Sequence, residues 1–345
     1  MGKPLTLKEV KAFKKKQLLE REWYSVRSLF GNTWAYTYIL LGGREAGKSY
    51  SVMRQFIKDW KFKGKPFTWL RLTEASQRKL LNNNADKFID ADLRRKFDLD
   101  LTVKGMQVFD HGKPMAKVLA LSTFYNDKGV ALFDNEYDLG YNICLDEMNR
   151  EKIERKNFDV AYAFVGQMEN LVRSTKEKLR VVLIGNTLEE AGDILCLFGF
   201  VPEQFGRYKV RKKKAVIDYI PLSDAYKRRR KDAYANLLMP EDSNFTNEIK
   251  SDISHLYKGR LKKPTRVIMF DKNNKFTVWD GNIVSEYKNE KVPIIAMRPY
   301  LDEKFIPELR DSVLELFNTR SFYFRNLITQ KLFKKQLELL KPQGR

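Results

Sequence analysis

The order of apolar and polar positions predicts strands that alternate with helices. Each of four short segments is apolar almost throughout, as expected for strands buried on both faces of a parallel sheet. These segments are "TYILLGG" (37–43), "PFTWLRL" (66–72), "NICLDE" (142–147) and "KLRVVLIGNT" (178–187). The segments between them, such as "YSVMRQFIKDWKF" (50–62), repeat their apolar residues at helical spacing. This alternation predicts an α/β domain over residues 1–205, with a parallel sheet between helices and an amphipathic helix over 7–29.

The pattern changes after residue 205. Residues 206–262 contain basic clusters and a polar stretch, "MPEDSNFTNE" (239–248), and are predicted to form a basic linker region. Residues 263–345 begin with alternating segments separated by the turns "KNNK" and "DG", which predict a β-meander. Helical spacing follows over 307–317 and 320–339. The second part is therefore predicted to be a smaller α+β domain.

Composition adds a polyanionic partner to this picture. The 345 residues carry 65 Lys and Arg against 44 Asp and Glu, a net charge of +21. Such an excess is typical of proteins that bind nucleic acid. The apolar fraction of 43% predicts a folded core rather than disorder. No apolar run is long enough to span a bilayer, the N-terminus has no signal-peptide pattern, and the two cysteines lie in apolar runs, so we expect a cytosolic protein without a membrane partner.

The turn after the first apolar segment fits the phosphate-binding pattern G-x-x-x-x-G-K-[ST]. Gly42, Gly47, Lys48 and Ser49 occupy its fixed positions, between a predicted strand and a predicted helix. The backbone N–H groups of such a loop surround phosphate oxygens, the lysine reaches the β and γ phosphates, and the serine binds Mg²⁺. The sequence therefore predicts an ATP and Mg²⁺ site. Its loop residues are Gly42, Gly43, Arg44, Glu45, Ala46, Gly47, Lys48, Ser49 and Tyr50.

An acidic pair supplies the other half of a hydrolytic site. Asp146 and Glu147 end the third apolar segment, where the first is expected to hold Mg²⁺ and the second to polarise the attacking water. A nucleotide kinase does not need the glutamate, and a GTPase is expected to carry an N-K-x-D motif, which is absent. Asn186 or Thr187, at the end of the fourth segment, is a candidate to sense the γ-phosphate or to orient the water. Arg173 is equally compatible with a surface arginine at a helix end and with a cation that reaches a neighbouring subunit's phosphate.

Six segments together resemble a known family. They are "GGREAGKSY", "TWLRL", "TVKGMQVFDHGK", "NICLDEMNREK", "LVRSTKEKLRVVLIGNT" and "LFGFVPEQFGRYKV…AVIDYIP". In content and order the chain is similar to the DNA-packaging ATPases of small tailed phages of the phi-29-like type. The resemblance covers nearly the whole chain.

This resemblance implies an ASCE P-loop ATPase domain followed by an RNase H-like domain derived from a terminase nuclease. It implies a homomeric ring, taken to be a pentamer, that acts in the host cytoplasm at the portal vertex of a prohead. Double-stranded DNA, the portal and a phage-encoded packaging RNA are the implied partners. Lys48 and Ser49 match the Walker A pair, and Asp146 and Glu147 match the Walker B pair. Arg173 matches the trans-acting arginine finger, Asn186 the strand-end sensor, and Arg71 a basic residue after the second strand.

Basic residues are then candidates for gripping DNA, because backbone phosphates are the handle that does not depend on sequence. The candidates are Lys104, Lys113, Lys117, Lys212, Lys213 and Lys214, with "KRRRK" (227–231) as a segment that faces RNA. For each of them, a solvated basic surface is the alternative.

Other functions remain open at this point. A terminase-like protein with an active nuclease would use carboxylates of the meander, for which Asp271, Asp280 and Glu286 are available, although Asp271 and Asp280 also suit ordinary turns. We expect that cleavage has been lost and that the domain binds nucleic acid. A helicase-like ATPase and a protein that holds ATP only as a structural ligand are the further alternatives.

Overall fold

The computed structural model describes residues 23–127, 142–149, 158–172, 179–186, 192–221, 223–231, 253–301 and 305–340. The chain divides into two compact units. The first comprises Met1–Phe198 with Pro202–Ile249, and the second comprises Gly199–Val201 with Lys250–Arg345. Across the described residues, no helix has the length and apolar character that crossing a bilayer requires.

A nine-stranded sheet forms the centre of the first unit. Its order is β3-β4-β5-β2-β6-β7-β1-β9-β8. These strands are β1 (Thr37–Leu41), β2 (Phe67–Arg71), β3 (Leu101–Lys104), β4 (Gln107–Asp110), β5 (Lys113–Ala120), β6 (Asn142–Asp146), β7 (Arg180–Gly185), β8 (Gly206–Val210) and β9 (Ala215–Tyr219). The six strands that are neighbours in the order β5-β2-β6-β7-β1-β9 run parallel. β3 and β4 at one edge and β8 at the other edge are each antiparallel to the strand beside them. The predicted α/β class, with a mainly parallel sheet, is therefore confirmed.

Helices connect the strands of this sheet. They are α1 (Arg27–Phe30), α2 (Lys48–Lys63), α3 (Glu74–Ala85), α4 (Ala91–Lys96), α5 (Val160–Val172), α6 (Asp193–Phe198) and α7 (Asp224–Lys231). The apolar face of α2 packs into the core through Val52, Phe56 and Ile57, as its spacing predicts. Gly47 and Gly64 flank α2 in the left-handed conformation, so the helix begins and ends where its glycines allow the chain to turn.

A tight hairpin forms at "DHGK" (110–113). β4 and β5 pair antiparallel on either side of His111 and Gly112. Both residues have positive φ, 48° and 75°, as a tight hairpin turn requires. This hairpin and β3 extend the sheet beyond its parallel part.

The first unit extends past the boundary at residue 205 that the sequence suggested. β8 and β9 pair with each other, and β9 also pairs parallel with β1, so both are part of the main sheet rather than of a linker. All five positions of β9 are buried. The basic turn Arg211–Lys213 between the two strands gave this stretch its linker-like composition.

The expected helix over 7–29 lies mostly outside the described residues. Within them, helix appears only at Arg27–Phe30. The chain at Trp23 and Tyr24 is not helical, and the backbone N–H of Tyr24 donates to the carbonyl of Ala46 in the phosphate-binding loop. A tertiary hydrogen bond therefore replaces the local helix there.

The second unit is built on a five-stranded sheet of order β13-β10-β11-β12-β14. Its strands are β10 (Pro264–Met269), β11 (Lys275–Trp279), β12 (Ile283–Glu286), β13 (Ile294–Ala296) and β14 (Tyr323–Phe324). The predicted meander is the antiparallel set β10 to β12, and β13 and β14 join its edges in parallel. With two helices, α8 (Pro307–Asn318) and α9 (Leu327–Glu338), the unit has the predicted α+β organisation.

Helix α9 starts later than the predicted residue 320. Tyr323 and Phe324 pair with β12, which requires extended backbone there. Asn326 then caps the helix, because its side chain accepts a hydrogen bond from the N–H of Thr329 at 2.8 Å. Phe333 of α9 packs against the rings of Phe270 and Phe276 in the core of the unit.

Helix α2 offers a matched test of this packing. Phe56 is fully buried and contacts the rings of Phe67 and Trp69, whereas Phe62 on the same helix is 78% exposed. We expect Phe56→Ala to lower the free energy of unfolding by about 3–5 kcal/mol, because it removes apolar contacts and leaves a cavity. Phe62→Ala should change it by less than about 0.5 kcal/mol. Urea unfolding of the full chain measures both, and similar losses in the two variants would contradict the assigned core.

Candidate nucleotide-binding site

The carboxyl ends of three neighbouring strands bring the predicted site together. β1 lies beside β7, and β7 lies beside β6, all parallel and in matching register. The loops that leave these strands therefore meet at one edge of the sheet, the usual position of ligand sites in α/β folds. A cleft of about 390 Å³ opens there. It is lined by Arg44, Glu45, Ala46, Gly47, Lys48, Ser49, Tyr50, Asp146, Glu147, Ile184 and Asn186.

The loop has the shape that its glycines predict. Gly47 has φ of 82°, a conformation that residues with a side chain rarely adopt. A side chain at this position would also approach the ring of Trp23 to 3.2 Å. The loop then passes directly into α2, whose N-terminal end faces the cleft and favours a bound anion.

Lys48 is a buried cation at the start of α2. Its amine donates to the carbonyls of Gly42 at 2.7 Å and Gly43 at 2.5 Å, and lies 3.4 Å from Oδ1 of Asn186. Burial lowers the pKa of Lys48 to about 8, although the nearby carboxylate of Asp146 works in the opposite direction. The structure thus places Asn186 beside Lys48, in the cleft.

A chain of polar contacts links the loop to the acidic pair. The hydroxyl of Ser49 donates to Oδ1 of Asp146 at 2.9 Å. The guanidinium of Arg71, at the end of β2, donates to Oδ2 of Asp146 at 3.0 Å and to Oε2 of Glu147 at 2.5 Å. Burial raises the pKa of Asp146, and the charge of Arg71 opposes this shift.

Glu147 has an unusual backbone and an accessible carboxylate. Its φ is 58°, in the left-handed region that few residues with side chains occupy. Its side chain is 57% exposed and forms part of the cleft wall. Arg71 thus holds a carboxylate that is open to water beside the buried carboxylate of Asp146.

The donor set fits a hard divalent cation. Ser49 and Asp146 present oxygen atoms side by side, and Mg²⁺ prefers oxygen ligands that phosphate and water complete. Within the described ranges, no group of three or more His, Cys, Asp or Glu is arranged to hold a metal by itself.

Of two further residues predicted for the site, Tyr50 is among the described residues and Arg173 is not. The hydroxyl of Tyr50 donates to Asp92 at 2.5 Å, a contact that raises the pKa of Tyr50 to about 12. Arg173 lies outside the described residues, one position after the end of α5.

The predicted DNA-binding lysines fall into two groups. Lys104, Lys113 and the turn residues Lys212, Lys213 and Lys214 are exposed. Lys117 is 8% exposed, because it lies within β5 between two neighbouring strands, and it does not present its amine as a surface residue would. Lys113 is the first residue of β5 and the 212–214 turn directly precedes β9, so they lie at the sheet edge opposite the cleft.

Two carboxylates of the meander have structural partners. Asp271 accepts hydrogen bonds from the backbone N–H groups of Asn273 and Asn274 at 2.8 and 2.9 Å, as a turn residue does. Asp280 has φ of 50° and accepts from the N–H of Lys263 at 3.3 Å. Glu286 is exposed at the end of β12. Turn formation therefore accounts for Asp271 and Asp280.

Three residues at the back of the loop were missed by the sequence analysis. Tyr24, Tyr226 and Arg229 each donate to a carbonyl of the phosphate-binding loop. Arg229 lies in the "KRRRK" segment that was expected to face RNA, and the structure places it against the loop instead. The three-residue spacing of Tyr226 and Arg229 was the available signal, since it places both on one face of a helix.

The lowered pKa of Lys48 predicts how nucleotide affinity varies with pH. Phosphate binds more tightly to the protonated amine, and a pKa of about 8 means that most molecules lose this charge between pH 7 and pH 9. We expect the dissociation constant for ADP to rise about tenfold over this interval, in proportion to the lost protonated fraction. Isothermal titration calorimetry at several pH values measures it.

Lys48→Arg is the control for this prediction, because a guanidinium stays protonated throughout the interval. Its affinity should be lower overall but independent of pH. An equal dependence in both proteins would show that a different group titrates.

The fold of this chain occurs in two solved packaging motors. The bacteriophage Phi-29 viral genome packaging motor assembly matches with a TM-score of 0.67 and 18% identity, over 93% of this chain and 100% of that one. The Phi-28 gp11 DNA packaging motor matches with a TM-score of 0.63 and 15% identity, over 94% and 99% of the two chains. At these identities, the matches show a shared fold.

Sequence comparison points to the same group of proteins. The DNA packaging protein of Bacillus phage B103 is 24% identical over 220 residues, which span 61% of this chain and 64% of that protein's length. The model of the podovirus DNA encapsidation protein (Gp16) family matches residues 22–295. That match includes the phosphate-binding loop, Arg71, the acidic pair and the α7 segment, so the chain belongs to the podovirus DNA encapsidation protein (Gp16) family.

Proposed function

We propose that the protein is an ATP-hydrolysing motor that moves double-stranded DNA into a preformed prohead. The observation that supports this most directly is the pairing of a phosphate-binding loop with two adjacent carboxylates of different environment. Asp146 is buried beside Ser49, and Glu147 is open to the cleft. Membership of a DNA encapsidation family and a net charge of +21 fit the nucleic-acid substrate.

The residues of the cleft have separate tasks in this proposal. Lys48 neutralises charge on the β and γ phosphates. In doing so, its amine exchanges its hydrogen bonds to the carbonyls of Gly42 and Gly43 for contacts with phosphate oxygens. Ser49 and Asp146 would hold Mg²⁺, which supplies charge neutralisation between the phosphates when bound. Glu147 orients and deprotonates the attacking water, and Asn186 contacts the terminal phosphate. Arg71 restrains Glu147 until the phosphates are correctly placed, since one guanidinium contacts both carboxylates.

Arg173 completes the site from a neighbouring subunit. In sequence it directly follows α5. A guanidinium at the γ-phosphate stabilises charge in phosphoryl transfer. This role requires a ring in which each subunit serves the next, and we propose five subunits by resemblance to the phi-29-like motors.

Exposed lysines supply contacts to the DNA backbone. Lys104, Lys113 and Lys212 to Lys214 are available at the surface, whereas Lys117 is buried and is not proposed again. Phosphate contacts suit a motor, because they do not depend on base sequence. The second unit is proposed as an RNase H-like domain that binds nucleic acid without cutting it. The portal and a packaging RNA are the proposed assembly partners in the host cytoplasm.

Glu147→Gln tests the hydrolytic step. The amide keeps the size of the side chain but cannot accept the proton of the attacking water, so turnover of ATP should fall about 10²- to 10⁴-fold. ADP affinity should stay within about threefold, because Glu147 does not bind phosphate. Both are measured with the full chain, proheads and duplex DNA.

Glu169→Gln, an exposed glutamate on α5, is the matched control and should keep wild-type turnover. Negligible turnover by the wild-type protein, or full turnover by Glu147→Gln, would refute the motor proposal in favour of ATP as a structural ligand.

Mixing two inactive variants tests whether Arg173 acts between subunits. Lys48→Ala cannot bind phosphate but still offers Arg173, and Arg173→Ala binds phosphate but lacks the guanidinium. Each alone should lose at least about a hundredfold in turnover. Their mixture should exceed the activity of either variant if the arginine serves a neighbour. A mixture no more active than its components would show that Arg173 acts within its own subunit or not at all.

A further inference from the structure

Three successive carbonyls of the phosphate-binding loop accept hydrogen bonds from residues outside the loop. The hydroxyl of Tyr226 donates to the carbonyl of Arg44 at 2.8 Å. The guanidinium of Arg229 donates to the carbonyl of Glu45 at 2.6 Å. The backbone N–H of Tyr24 donates to the carbonyl of Ala46 at 2.9 Å. Two of these three donors come from one short helix, α7.

This pattern has a physical cause. A loop that binds phosphate through its N–H groups turns those groups toward the anion and its carbonyl groups away. Carbonyls turned away from the anion are free to accept hydrogen bonds from other parts of the chain, and each such bond favours the loop conformation in which it forms. The donors from α7 and from Tyr24 therefore stabilise the orientation of the loop in which its N–H groups face the cleft.

Arg229 also contacts the loop through an aromatic ring. Its guanidinium lies 3.9 Å from the centre of the Trp23 ring, and Trp23 packs against the position of Gly47. Trp23 is 52% exposed, so the stacked guanidinium covers part of a ring that would otherwise face water. Such stacking fixes the planar guanidinium in the orientation from which it donates to Glu45.

Helix α7 is itself fixed at its start. The hydroxyl of Ser223 accepts a hydrogen bond from the N–H of Tyr226 at 3.0 Å, which caps the helix. Tyr226 is buried, while Lys227 and Arg228 are exposed on the same helix. One face of α7 therefore contacts the loop, while Lys227 and Arg228 face solvent.

We propose that Tyr226 and Arg229 are positioning residues that hold the phosphate-binding loop in its nucleotide-binding conformation, and that nucleotide binding is thereby coupled to the position of α7. The proposal rests on the proposed nucleotide site. Coupling of this kind is reciprocal: whatever displaces α7 weakens nucleotide binding, and nucleotide binding holds α7 in place.

Affinity for ADP with Mg²⁺ tests the positioning role in the full chain. Tyr226→Phe removes one hydroxyl and should weaken binding about threefold. Arg229→Ala removes a charged donor and should weaken it about tenfold, with Arg229→Lys between this variant and the wild type. Arg228→Ala removes the same charge from the same helix but makes no contact with the loop that the structure describes, and it should stay within about twofold.

Hydrogen exchange of residues 224–231 gives a readout that a merely structural role would not change. ADP should slow exchange in wild-type α7, and the slowing should shrink in Tyr226→Phe and Arg229→Ala. Thermal unfolding without ADP identifies any variant that has lost its fold, and Tyr226→Phe is conservative enough to keep it.

ADP affinities within twofold of wild type in all variants, or no effect of ADP on exchange in wild-type α7, would overturn the coupling while leaving the nucleotide site intact. If the wild-type chain bound no ADP, the proposed function would fail first and the coupling with it.

Discussion

A loop that directs its N–H groups toward an anion must direct its carbonyls the other way, and much of the first unit is arranged around that requirement. The carbonyls of Gly42 and Gly43 accept from the amine of Lys48, within the loop. The next three accept from Tyr226, Arg229 and Tyr24. Three of these four donor residues lie outside the loop, before it or long after it in sequence, so the loop is an outcome of the tertiary fold and not of its glycines alone.

Where the chemistry is local, the sequence alone was sufficient to predict it. The glycines, lysine and serine of the loop are contiguous, and the acidic pair follows a strand that its apolar residues identify. Because parallel strands place their carboxyl ends at one edge, the meeting of Ser49 and Asp146 could also be expected. The same holds for the meander of the second unit, whose turns are marked by Asn, Asp and Gly.

The features that were missed depend on contacts between distant residues. Tyr226 and the carbonyl it binds are 182 positions apart, and no periodicity reports such a pair. A basic turn between β8 and β9 resembled a linker in composition, although the strands beside it complete the sheet. Lys117 was grouped with surface lysines because a strand position alone does not show which face of the sheet the rest of the fold will cover. In each case tertiary structure overrode the local signal.

Charges in the cleft are balanced within a few ångströms. Arg71 contacts two carboxylates, and Lys48 and Asp146 oppose each other's desolvation. Burial disfavours both the protonated amine of Lys48 and the ionised carboxylate of Asp146. A bound group whose charge is opposite to that of either side chain should therefore stabilise the fold as well as bind to it.

The position of Glu147 combines a backbone conformation that favours glycine with a carboxylate that glycine lacks. Its left-handed backbone suits glycine, which would adopt φ of 58° without steric cost. A Glu147→Gly substitution would relieve the unfavourable backbone conformation but would remove the carboxylate. In the proposed mechanism the carboxylate of Glu147 is needed for hydrolysis, so the chain accepts an unfavourable backbone conformation there, and sequence changes selected for heat tolerance alone would be expected to replace the glutamate.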